Sequence, residues 1–405
     1  MNFQFSLLSP LFILFAISAV ILLSILRGMA KQGVFLALNV LFVWWFLQGG
    51  TNFYSTLLFC LFGYGLVYSI LNSPKWSFRI GLPAIVLVFV YMRNYEFLKW
   101  ILHESLQTKV LAAAGLSFLL FKIIHVMIEA RSRTLGPFDF WVFINYLLNF
   151  TTFMMGPIQR YDDYREQWYG RKAAIPLTFE AYLDALLRIL MGCVKAYALA
   201  DFLVPFVSPS GVTIAEMSSG QLLLSIYAFY FFLYLNFAGY CDIMIGVGSL
   251  FGVRPPENFN NPFIAKNISD FWLRQHISLT HWFTDYVFSP LYKQTLSSGG
   301  FFSRPLVSLN VSLLVTMLVS GLWHGTTMAF LFFGLSHGLF LVIYHTWNTM
   351  AVQSFGRRRV REWRATFWGK GVGIFLTFNA VAFAFVFFNH NLEDSFIIFR
   401  RILGL

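Results

Sequence analysis

The sequence predicts an all-α, polytopic integral membrane protein with roughly ten or more transmembrane helices. Three observations predict it. Charged residues make up only 12% of the 405-residue chain, whereas a soluble domain carries roughly 25%. Hydrophobic residues make up 58%, and the mean hydropathy is +0.66. Apolar runs recur along the chain, each closed by charges, glycine or proline. The 49 Phe and 12 Trp suit a membrane interior bordered by aromatic belts.

The net charge of +11 fits basic residues that set orientation and meet anionic lipid, not nucleic acid, because no basic run accompanies a soluble motif. Cys60, Cys193 and Cys241 stand apart in apolar segments with no C-x-x-C, so neither a disulfide framework nor a metal site is expected. A single domain, 1–405, is the economical reading, with no internal repeat.

In chain order, the run 11–26 lacks the flanks of a cleavable signal and reads as a retained first helix, with Arg27 and Lys31 on the cytoplasmic side. Runs 34–47 and 53–71 follow, separated by the loop signal at 48–52, and then 80–92, a short run beyond Pro74, Lys75 and Arg79. Run 110–128 holds Lys122 and His125, with Glu129 just beyond. Their three-and-four spacing puts them on one helical face. That face is either an internally satisfied polar stripe or the lining of a water-filled path. Run 138–155 ends at Gly156-Pro157, and 161–172, dense in both charge signs, belongs at an interface. Runs 184–207 and 222–250 come next; Asp242 interrupts the second. Residues 254–262, with three prolines and three asparagines, cannot form a regular helix.

Residues 267–288 read as one aromatic helix, capped by Asn267 or Ser269. On it Arg274, Ser278, His281 and Asp285 would share a face, while His276 points elsewhere and takes its partner from another part of the fold. His324 sits between the apolar runs 311–322 and 328–333. His337 and His125 read as structural; His103, His345 and His390 lie at apparent loop ends. Arg357, Arg358, Arg359, Arg361 and Arg364 are the strongest cytoplasmic marker, and 372–388 is the last clear span.

An ionisable group at such depth is costly and points to function. At neutral pH an imidazole can take a proton, so His324 could deprotonate an alcohol as it attacks an activated acyl carbonyl. His276 could orient that base or donate to the developing oxyanion. Taken alone, each histidine reads first as a satisfied buried side chain. No G-x-S-x-G elbow or Cys–His neighbour suggests a covalent intermediate.

The motifs settle the class. Gly156-Pro157-Ile158-x-Arg160, Phe237-x-Gly239-Tyr240-x-Asp242, Pro256-Glu257-Asn258-Phe259-x-x-Pro262, Phe271-Trp272-x-x-x-His276-x-Ser278-Leu279, Trp282-Phe283-x-Asp285-Tyr286 and Leu322-Trp323-His324-Gly325 stand in family order. With them the chain resembles the membrane-bound O-acyltransferases. The resemblance implies helices around a central tunnel, with His324 as the essential histidine and His276 in a second polar position that is His or Asn in different branches. Trp323, Asp242, Asn258, Trp272 and Ser278, all within these motifs, are the substrate-tunnel candidates.

Two bacterial branches are similar: one O-acetylates secreted polysaccharides such as alginate, the other passes D-alanine from a carrier protein toward teichoic acids. Residues 256–259 and 242–246 lean toward the first; 115–118, 128–129 and 377–379 lean toward the second. Gln275, where Trp commonly precedes the histidine, and Tyr292-Lys293-Gln294 after Pro290-Leu291 depart from the pattern.

The expectation is an enzyme of the bacterial inner membrane. It would take an acyl group, acetyl in the first reading and D-alanyl in the second, from a cytoplasmic thioester (acetyl-CoA or an acyl carrier protein). The destination is a hydroxyl of an extracytoplasmic polysaccharide or of a partner protein. No bound cofactor, metal or nucleic acid is expected. The rivals are a transporter or flippase and a binding scaffold.

Overall fold

Helices start where the sequence supplies a cap or a proline. Ser9 accepts from the Phe12 amide at 3.2 Å ahead of Pro10–Ile25, and Pro74 and Pro305 open Pro74–Arg93 and Pro305–His324. The computed structural model describes residues 9–96, 98–101, 115–170 and 178–405. Among these the chain is helical, with one isolated bridge, Phe259 to Gln275, and no strand ladder. His103, residues 110–114 of the run 110–128 and residues 171–172 of the interfacial segment lie outside the described residues.

Eight described helices are long and apolar enough to cross a membrane, and Pro10–Ile25 is a shorter apolar one. The chain is a multi-pass membrane protein. Four expectations about individual elements change. The run 80–92 belongs to a full-length helix, Pro74–Arg93, because Pro74 at its first turn starts it earlier. The run 138–155 divides into Phe140–Leu148 and Phe150–Phe153, with Asn149 between them capping the second. His345 lies inside Met328–Phe355, 3.1 Å from the Ser269 hydroxyl, not at a loop end. The 267–288 helix is in three pieces: Ile268–Trp272, Ile277–Phe283 and a π-turn, Thr284–Phe288. Arg274 therefore does not share a helical face with Ser278, His281 and Asp285.

The chain forms two compact units. The first comprises Met1–Val194 and Gly239–Pro256. Its centre is the buried helix Leu116–Ser132. There Lys122 donates to the Tyr146 carbonyl at 2.9 Å and to Thr152 Oγ1 at 2.8 Å. His125 meets the Tyr146 hydroxyl at 3.0 Å and Glu129 at 3.7 Å. This is the internally satisfied stripe. The ammonium occupies carbonyls freed where the neighbouring helix breaks.

The second unit comprises Lys195–Ala238 and Glu257–Leu405. Its core gathers Tyr230, Phe271, Trp272, Phe333, Leu341, Val381 and Phe385. Pro305–His324 and Met328–Phe355 pack as an antiparallel pair, and a Cβ on Gly321 would meet the Gly334 Cα at 2.9 Å. Only glycine permits that approach. It sets the position of the helix end that carries His324.

Candidate active site

Three pieces of the second unit build the site: the irregular segment after Pro256, the interruption at His276, and the end of Pro305–His324. Prolines deny the first of these a helix. It lies extended, and two backbone bonds clamp it: Asn260 N–H to the Arg274 carbonyl and Ile277 N–H to the Asn258 carbonyl, both 2.9 Å. Between the clamps His276 takes φ 49°, ψ 51°. That left-handed conformation is rare for residues with a Cβ, though His and Asn are enriched there. The Asp270–Arg274 pair, 2.8 Å, and the Asn267 cap, 2.9 Å from the Asp270 amide, fix the preceding turn.

His276 is buried, and its partner comes from another segment, as expected. Its Nδ1 lies 3.2 Å from Asn258 Oδ1, which also accepts from the Ser278 amide at 3.2 Å and the Ser278 hydroxyl at 2.9 Å. Phe237 packs edge-on against its ring at 4.9 Å. Burial, and secondarily the charge of His324, hold the imidazole of His276 well below its ordinary pKa, so it is neutral at pH 7.

His324 is the last residue of its helix and is partly exposed. Its ring stands edge-on to Trp323 at 4.7 Å, Phe333 at 5.5 Å and Phe388 at 5.3 Å. Gly325 follows because any Cβ there would strike the Phe330 ring. At the carbonyl end of a 20-residue helix the dipole favours positive charge, as on an imidazole that has accepted a proton. Trp323 also touches His276, at 6.1 Å. One indole thus contacts both imidazoles.

The sequence profile of the membrane-bound O-acyltransferase family matches residues 40–386. The chain belongs to that family. Among the relatives of this O-acyltransferase is a teichoic acid D-alanyltransferase of Streptococcus thermophilus, 31% identical over 80% of this chain and 78% of that protein. A probable alginate O-acetylase of Azotobacter vinelandii is 32% identical over 58% of this chain and 45% of that protein. A peptidoglycan O-acetyltransferase of Helicobacter pylori is 28% identical over 66% and 47%. The chain spans under half the length of the last two.

Of the residues singled out in the sequence, the structure brings together His324, His276, Trp323, Asn258 and Ser278. Trp272 lies one layer away, its ring 5.0 Å from His337, which in turn sits 4.7 Å from Phe333. His337 is fully buried among aromatic rings. Asp242 belongs to the first unit, where Arg188 pairs with it at 3.0 Å. Sequence reasoning missed Phe333 and Phe388 as walls of the His324 ring, since nothing distinguishes them among so many phenylalanines. Phe237 stood in a quoted motif without an assigned contact. Among the described residues no three His, Cys, Asp or Glu side chains converge as a metal-holding group would.

Proposed function

We propose that this O-acyltransferase moves a small acyl group, acetyl in the first reading, from a cytoplasmic thioester to a hydroxyl on the far side of the bacterial inner membrane. The acceptor is an envelope polysaccharide or a partner protein that hands the group on. The observation that carries the proposal is the pair of imidazoles, His276 and His324, that share contact with Trp323 in a chain of this family. His324 takes the proton of the acceptor hydroxyl as its oxygen attacks the thioester carbonyl. The C–O bond forms, the C–S bond breaks, and the departing thiolate receives the proton from the imidazolium. General-base help of this kind is worth roughly 10²–10⁴-fold. His276 supports that step. Trp323, against both imidazoles, contacts the substrate. Acetyl-CoA or a charged acyl carrier protein supplies the acyl group.

A second reading, D-alanyl transfer, is favoured by one observation: the match extends over 78% of a D-alanyltransferase but 45% of an alginate acetylase. A transporter without bond-making finds no support among the relatives named above. Deleting the gene and measuring alkali-released acetate and D-alanine from envelope polymers separates the readings. Loss of acetate is expected, loss of D-alanine selects the second reading, and retention of both contradicts the assignment.

A further inference from the structure

We infer that Asn258 is a positioning residue for this reaction: its side-chain oxygen holds His276 as the Nδ1–H tautomer and so presents an unprotonated Nε2 toward the reacting groups. The inference rests on the acyl-transfer reading and goes beyond it.

The hydrogen-bond inventory decides the tautomer. A backbone N–H can only donate, so the Asn258 atom 3.2 Å from the Ser278 amide is the carbonyl oxygen, not the NH₂. The Ser278 hydroxyl donates to the same oxygen at 2.9 Å. His276 Nδ1 lies 3.2 Å from it, and two acceptors cannot share a hydrogen bond. Nδ1 therefore carries the hydrogen, which in a neutral imidazole leaves the lone pair on Nε2. Asn258 is 1% exposed and His276 4%, so bulk water does not compete. The Asn258 backbone cannot drift, because its own carbonyl holds the Ile277 amide at 2.9 Å.

The titratable group facing His276 is His324, from Pro305–His324. The other rings against it, Phe237 and Trp323, carry no charge. His276 is thus a hydrogen-bond acceptor in its working form. It can receive a ring N–H of His324, whose other ring nitrogen then faces the acceptor hydroxyl as the base. It cannot act as a neutral oxyanion donor through Nε2.

The test uses membrane vesicles from cells making the full chain, which keep acceptor and partner, with thiol release followed from acetyl-CoA and from a D-alanyl-charged carrier protein. Asn258→Asp keeps an acceptor for Ser278 and for Nδ1 but adds a negative charge that favours the imidazolium. Its activity is expected to return only at higher pH, with the acid limb of kcat displaced upward by about one unit or more. Asn258→Leu removes the acceptor and is expected to lower kcat by about 10²-fold with KM within about threefold.

The inference is overturned if folded Asn258→Asp gives the wild-type pH profile, or is inactive at every pH from about 5 to about 9. It is also overturned if folded Asn258→Leu retains kcat within about threefold. Where Asn258→Leu fails to fold, the aspartate profile decides alone. His324→Ala runs alongside. Wild-type activity there sinks the acyl-transfer reading itself, whereas an inactive His324→Ala beside an unshifted Asn258→Asp sinks only the role of Asn258.

Discussion

At residue 276 the backbone and the chemistry make opposing demands. The imidazole must reach Asn258 and Trp323, and this requires a left-handed φ of 49°. Such a conformation costs about 1–3 kcal/mol. Asn tolerates it nearly as well as His, which gives a physical reason for the His-or-Asn alternation that the resemblance implies at this position. His276→Asn is therefore expected to keep the melting temperature close to wild type while lowering turnover. His276→Val, β-branched, should lose about 1 kcal/mol or more of stability; thermal unfolding in detergent checks both. Protonation gives a second handle. Burial and the His324 charge depress the folded pKa of His276, while the unfolded imidazole titrates near ~6.5. As pH falls below that value the unfolded chain binds the proton and the folded chain does not, so stability declines on the acid side only. His276→Asn should flatten that acid slope in a melting series.

At the scale of elements, the interruption of 267–288 was not legible. No proline or glycine marks residues 273–276, and the three-and-four spacing runs through them unbroken. What breaks the helix is a tertiary clamp: the bonds from Asn260 and Ile277 to a segment with no local signal of pairing. The Asn267 cap, the irregular stretch after Arg254 and the polar stripe of Lys122, His125 and Glu129 were legible, because each depends on neighbours in sequence. His276 could be told to need a distant partner; that the partner is Asn258 could not. Glycine spacing carries a prediction here. Gly321→Ala forces the Pro305–His324 and Met328–Phe355 backbones apart and should cost roughly 1–3 kcal/mol and displace His324. Asp242 and Arg188, 15% and 29% exposed, form a partly buried pair. Asp242→Ala should destabilise by about 1–3 kcal/mol, with Asp242→Ala/Arg188→Leu recovering part of it. Strict additivity in that double-mutant cycle would show the pair to be inert.

For the whole molecule, composition alone made the membrane class and the helical fold legible, since 12% charge over 405 residues leaves few alternatives. Aromatic walls and an anchored helix end give the two imidazoles their setting. Orientation follows from charge. Arg357–Ala365 is a helix carrying five arginines and should face the cytoplasm. A single cysteine at Arg359 in a cysteine-free background should react with an impermeant maleimide only after permeabilisation; labelling of intact cells would invert the topology.

The most direct test of the central claim is single-turnover acyl transfer by full-length His324→Ala in membrane vesicles with a bound thioester donor. Donor binding should be unchanged and the transfer rate lower by roughly 10²–10⁴-fold. A folded variant that transfers within about threefold of wild type would show that His324 is not the base.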